Sequence, residues 1–340
     1  MTVGNHIGDK SRRIEAFDVA KCVGMGLVCT CHCYYITIRN LSVVNLAAVS
    51  VAMPLFMLVC GFFSHSAMRM NLRSLVLRKL LPLAVPVVTC SVCFALLNLL
   101  WGSFSVASVA EVALSCLWFL RALAVILCVA WVALRLPVPQ WLAALLSVAV
   151  LLAVPGGSAW QVNYLIILFW VGYFLRIHYR YVRPRMAWMA QASVGVYLIC
   201  ALTGFVHGQY HFSHWMMMNF PFALMAQVVV GVSGSLAVIS LAHLACDRVG
   251  GSSPLVTAVA RVGRYTLGIY LVQTVLLQYV GYHYAMALSM RWAASLPLWL
   301  ADYVLTPLMG ALTVIICYFV VRLISRRKLL SRILFGTSYS

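Results

Sequence analysis

The chain has 340 residues, 64% of them hydrophobic and only 9% charged, and its net charge of +18 sets 24 Lys and Arg against six Asp and Glu. So much apolar surface cannot be hidden in one water-soluble core, and lipid is the solvent it requires. The bases stand in short clusters between apolar runs and form no continuous stripe, which argues against nucleic acid as a partner.

Lys10, Arg12 and Arg13 precede the first apolar run and imitate the charged start of a secretory signal. That run continues past Cys33 without a small-residue cleavage site, so it reads as an uncleaved first helix. Runs long enough to cross a bilayer, about 20 residues each, are predicted at 19–38, 43–66, 80–101 and 112–134. Shorter runs follow at 140–155 and 161–177, and the set closes with 186–206, 219–243, 262–281 and 298–322. The expected fold is an all-α, polytopic bundle of about ten transmembrane helices.

Loop charge tests that count, because Lys and Arg collect on the cytoplasmic side. With the amino terminus inside, the inner segments hold 20 of the 24 bases, in clusters such as Arg69, Arg73, Arg78 and Lys79, or Arg322 to Arg332. The outer segments hold only Arg39 and Arg291, while Lys21 and Arg121 fall within helices. Both termini are therefore expected in the cytoplasm. The chain divides into a segment 1–18, a membrane domain 19–324 and a basic tail 325–340.

Nearly all of the twelve cysteines lie in apolar runs and read as small packing residues. In Cys29-Thr30-Cys31-His32-Cys33, neighbours two apart on a helix face different ways and cannot grip one ion. His207, His211 and His214 have a spacing that zinc would accept, but on a wet loop the plainer reading is solvated histidine. No metal is expected.

Ionisable groups inside a span are functional candidates by default, since insertion costs at least about 2.5 kcal/mol for Arg, Lys or Asp. On the first helix Asp18, Lys21, Met25, Val28, His32 and Tyr35 recur at spacings of three or four and share a face. Asp18 and Lys21 form either an ion pair at the membrane boundary or part of a site. His32 lies roughly 20 Å along the axis from Asp18, so another helix must supply the group that orients its ring. On its own it reads as a satisfied core histidine, since imidazole can hydrogen-bond across helices.

Arg121, entering from the outer side at a depth matching His32, either steadies a developing oxyanion or pairs with Glu111 or Asp302. Arg73, Arg78 and Lys79 form a collar that suits phosphates, or are ordinary inner-surface charge. A transporter or flippase for a glycolipid or small metabolite is the rival to an enzyme. It would need buried carboxylates, for which Asp302 is the one fair candidate deep in a span.

The order of motifs resembles the acyltransferase 3 family of bacterial membrane proteins, especially its fucose 4-O-acetylase-like members. The likeness rests on Arg13-Ile14, Asp18, Lys21 and His32 at the family's spacing. Met53-Pro54-Leu55-Phe56 then runs into Gly61-Phe62-Phe63, with Cys60 where Ser is usual. Arg78-Lys79 before Pro82, Leu117-Trp118-Phe119-Leu120, Phe169 to Gly172-Tyr173 and Gly268-Ile269-Tyr270-Leu271 follow in order, with Gln273 where a His often stands.

The resemblance implies O-acyl transfer, in a bacterial inner membrane, from a cytoplasmic acyl-CoA to a carbohydrate or glycolipid. Acetyl is the expected group, and His32 the base. No resident cofactor is expected, and a homo-oligomer is compatible with the sequence. The donor is assigned to Arg13, Asp18, Lys21, Arg78 and Lys79, the acceptor to Tyr35, Trp118 and Gln273, and the oxyanion to Arg121. Direct transfer and an acyl-histidine intermediate both fit these residues.

Overall fold

The computed structural model describes residues 15–37, 42–102, 105–154, 157, 159–206, 212–249, 253–281, 284 and 296–339. Among them all regular structure is helical. The principal helices are α1 (Glu15–Thr37), α2 (Val43–Phe63), α3 (Leu72–Leu100), α4 (Val106–Ser115), α5 (Trp118–Ala133) and α6 (Gln140–Ala153). They continue with α7 (Val162–Ile177), α8 (Met186–Leu202), α9 (Pro221–Val249), α10 (Pro254–Arg264), α11 (Thr266–Gln273), α12 (Leu298–Ser325) and α13 (Lys328–Phe335).

This is a multi-pass membrane bundle. Seven described helices are long and apolar enough to span, or nine when the bent pairs α4–α5 and α10–α11 each count as one. The remaining predicted run, 140–155, is α6, a helix of 14 residues. At 1.5 Å per residue it rises about 21 Å, short of a hydrocarbon core about 30 Å thick.

The first helix is the hub. α1 packs against α2, α9, α10, α11 and α12, and most of its side chains are buried, including Phe17, Cys29, Cys33 and Tyr34. Apolar residues alone cannot specify such packing in lipid, where tails are as apolar as leucine, so close approach of small residues does the work. Gly61 of α2 and Gly172 of α7 mark one crossing, where a side chain at Gly61 would run into the Phe169 carbonyl and one at Gly172 into that of Leu58. Gly172→Leu is therefore expected to cost at least the roughly 1–3 kcal/mol of an overpacked core. Size-exclusion chromatography in detergent should show loss of the monodisperse species.

Contacts sort the chain into two ends. At one end Asp18 meets Arg264, Arg183 meets Asp247, and Arg135 and Trp131 bond the Met70 carbonyl. Phe17 there touches Phe62, Tyr179 and His243. At the other end Tyr34 bonds the Asp302 carbonyl, Asn163 that of Phe212, His214 that of Leu152, and Trp101 the hydroxyl of Tyr284. Arg135, Arg183 and Arg264, all from segments expected to face inward, stand at the first of these ends. Arg13, Arg39, Arg291, His207 and His211 lie outside the described residues.

Three departures from regular α-helix were not expected from sequence. π-helical turns occupy Val76–Leu80, Thr274–Gly281 and Ala301–Leu305. Such turns are rare and concentrate at functional sites. The bend of 56° between α4 and α5 is made at Leu117, which sits at φ 49°, a left-handed conformation that a leucine avoids.

Candidate active site

His32 projects from the C-terminal half of α1, and two glutamines hold its ring. Gln273, at the end of α11, donates its amide N–H to the Tyr270 carbonyl at 3.1 Å and to Thr274 Oγ1 at 2.9 Å. Its amide nitrogen is thereby committed, and its carbonyl oxygen faces His32 Nδ1 at 2.6 Å. Nδ1 must then carry the proton and donate it. Gln278 Nε2 lies 2.8 Å from His32 Nε2 and donates to it. The ring is thus the neutral tautomer with its lone pair on Nε2, the form that a general base requires.

The two glutamines differ in surroundings. Gln273 is fully buried, whereas Gln278 is exposed, as is Tyr35, 58% exposed with its ring 6.4 Å from the imidazole. A hydroxyl arriving from that side can displace the Gln278 amide and take its place on Nε2 without disturbing Nδ1.

On the other side of the pair lies a chamber of about 210 Å³, walled by Lys21, Met25 and Val28 of α1, Met53, Phe56, Val59 and Cys60 of α2, and residues of α3, α5 and α11. Its lining is apolar apart from Lys21, Cys60, Thr266 and the Tyr270 hydroxyl. It ends at Val28 and Tyr270, one helical turn short of His32 and Gln273 respectively. Toward the basic end it abuts a vestibule of about 520 Å³ bearing Arg78, Lys79 and Arg264, and the two share Cys60, Leu83, Leu123, Thr266 and Leu267. The basic vestibule and the apolar chamber are therefore continuous, and the chamber ends one turn of α1 short of the His32 imidazole.

Several assignments change here. Asp18, expected at the donor, lines neither cavity: it is 3% exposed, with its carboxylate 2.6 Å from Lys21 and 3.5 Å from Arg264 Nε. It holds two cations in position. Of the collar, Arg78 and Lys79 reach the vestibule and Arg73 does not. Gln273, expected at the acceptor, holds the His32 ring. Trp118 is half-buried against Phe119 and lines neither cavity.

Arg121 pairs with neither Glu111 nor Asp302 and makes no bond to His32 among the described residues. It donates to the carbonyls of Ala113, Leu114 at 3.0 Å and Cys116 at 2.6 Å, and its guanidinium stands 5.8 Å from the Trp160 ring. A cation closing a helix's last carbonyls is favourable, and this one fastens the α4–α5 bend.

Gln278, Arg264 and Tyr270 were not singled out from sequence as site residues. Gln278 follows Gln273 by five, which on an α-helix turns it about 140° away. Only the π turn brings both to one imidazole. Among the described residues no group of His, Cys, Asp and Glu could hold a metal, and His214 Nε2 is bonded to the Leu152 carbonyl.

Residues 14–322 match the family profile described as an acyltransferase domain. No curated protein and no solved structure matches the chain.

Proposed function

Because the chain belongs to the acyltransferase 3 family, and is a membrane acyltransferase on that ground, we propose that it moves an acyl group from acyl-CoA to a hydroxyl of an envelope carbohydrate or glycolipid. Acetyl is the simplest group for a chamber of about 210 Å³. The basic end is read as cytoplasmic from its Lys and Arg excess, in a bacterial inner membrane. The observation that carries this reading is the order of basic vestibule, apolar neck and proton-accepting imidazole.

Arg78, Lys79 and Arg264 would bind the donor's phosphates, where Arg offers paired donors and Lys a point charge. The thioester arm would lie in the chamber with its carbonyl toward His32. Nε2 of His32 takes the proton of the acceptor hydroxyl as that oxygen bonds to the carbonyl carbon. The Gln278 amide, released from Nε2, is the polar donor best placed to meet the oxyanion. Collapse breaks the carbon–sulfur bond, and the CoA thiolate leaves with the proton held on Nε2.

The test is purified protein in nanodiscs with labelled acetyl-CoA, following CoA release with and without envelope glycolipid. Acceptor-dependent release together with labelled glycolipid supports the reading. Folded protein that turns over no acyl-CoA, with any acceptor supplied, overturns it. The neck gives a second check, since Cys60 borders both cavities. Cys60→Phe is expected to cut acceptor-dependent release about tenfold or more by filling the passage, while Cys60→Ser stays near wild type. Both are read as initial rates on protein of matched thermal midpoint.

A further inference from the structure

The segment after α12 lies beyond the residues matched by the family and was expected to be a basic tail. It is folded into the site instead. α13 packs against α3 with Ser331 and Phe335 buried, and the chain then reverses at Gly336, φ 68°, whose N–H bonds the Arg332 carbonyl. A side chain at Gly336 would strike the Pro82 carbonyl. Ser331 Oγ ties down the Thr337 carbonyl at 2.7 Å. This strap delivers Thr337, Ser338 and Tyr339 to the wall of the basic vestibule.

Tyr339 is fixed there from three directions. Its hydroxyl oxygen accepts the Gly268 N–H at 2.8 Å, its ring stacks on Tyr265 with centroids 4.5 Å apart and planes at 23°, and Phe335 meets it edge-on at 6.0 Å. Tyr265 and Tyr339 thus present a rigid, two-ring aromatic platform in the same cavity as Arg78, Lys79 and Arg264. A wall combining stacked aromatics with several cations matches a ligand that carries a flat heteroaromatic ring beside phosphates.

Building on the donor reading above, we propose that the strap is a wall of the donor site and that Tyr339 recognises the purine ring of the acyl-CoA nucleotide. Tyr339 is a specificity residue in this account. It touches the distant end of the donor and not the reacting atoms, so its loss should weaken donor capture without slowing the bound complex. Acetyl-pantetheine carries the same thioester without the nucleotide and should be indifferent to Tyr339.

The experiment compares wild type, Tyr339→Ala and Tyr339→Phe in steady-state transfer from acetyl-CoA and from acetyl-pantetheine. Removing one base-stacking ring is expected to raise KM for acetyl-CoA about tenfold, with kcat and the acetyl-pantetheine KM held within about twofold. Tyr339→Phe keeps the ring, loses only the hydroxyl contact and should stay near wild type. Tyr339→Leu, which retains apolar volume, takes the place of alanine should that variant not fold, with the same split expected. Equal losses with both donors, or no change with either, overturn the assignment. Wild type with equal KM for the two donors overturns the strap assignment alone. Wild type that uses neither donor overturns the donor reading and this assignment together.

Discussion

His32→Ala is expected to lower acceptor-dependent CoA release by about 10²- to 10⁴-fold, the range of general-base catalysis. The ring is held as a neutral acceptor between Gln273 and Gln278, one helical turn beyond the end of the apolar chamber. Donor capture should survive, because Arg78, Lys79 and Arg264, the proposed phosphate ligands, stand in the vestibule beyond the other end of the chamber, so KM for acetyl-CoA is expected to change by less than about threefold. Folding should survive as well. Truncation costs two hydrogen bonds and leaves the buried Gln273 oxygen unpaired, a penalty of about 1–3 kcal/mol. Matched thermal midpoints with and without CoA would separate a lost base from a lost fold. A folded His32→Ala protein with full transfer would sink both direct attack and an acyl-histidine route.

The limits of legibility in this chain are physical. Hydropathy and loop charge carry span positions well, because each is a sum over about 20 residues and one misplaced side chain hardly moves it. The shared face of α1 was equally legible, since Lys21, Met25, Val28 and His32 repeat at regular helical spacing, and the first three do line one chamber, which ends a turn short of His32. The Asp18–Lys21 pair was visible for the same reason, its members standing three apart on one helix.

What failed depended on distant pairing or on broken periodicity. His32 and Gln273 are separated by 241 residues, and no local rule couples them. Gln278 is hidden by the π turn, which rotates it onto a face that α-helical counting denies it. Arg121 was placed by depth alone, and depth does not say which way a guanidinium turns. The α4–α5 bend left three carbonyls open beside it, and they took its donors. The closing strap was misread as tail because Lys328 and Arg332 dominate its composition, whereas Ser331, Phe335 and the turn at Gly336 dominate its packing.

Gln273→Leu tests whether orientation of the base, as distinct from its presence, is held by a single amide. Gln273 is fully buried, and both ends of its amide are engaged, so its oxygen can only accept and Nδ1 can only donate. Leucine fills a similar volume but accepts nothing. The Nδ1–H is then left facing apolar groups, and the imidazole gains by turning or by moving its proton to Nε2, where it can no longer accept one. Losing an orienting partner of this kind typically costs about 10- to 100-fold, and the loss should fall on kcat, with KM for acetyl-CoA unchanged. Gln273→His restores an acceptor nitrogen at the same point and should recover most of the rate, a rescue that a purely space-filling role would not produce. If Gln273→Leu transfers at the wild-type rate, the ring is held from the Gln278 side alone, and the exposed amide must then stay in place through the reaction instead of yielding to the acceptor hydroxyl.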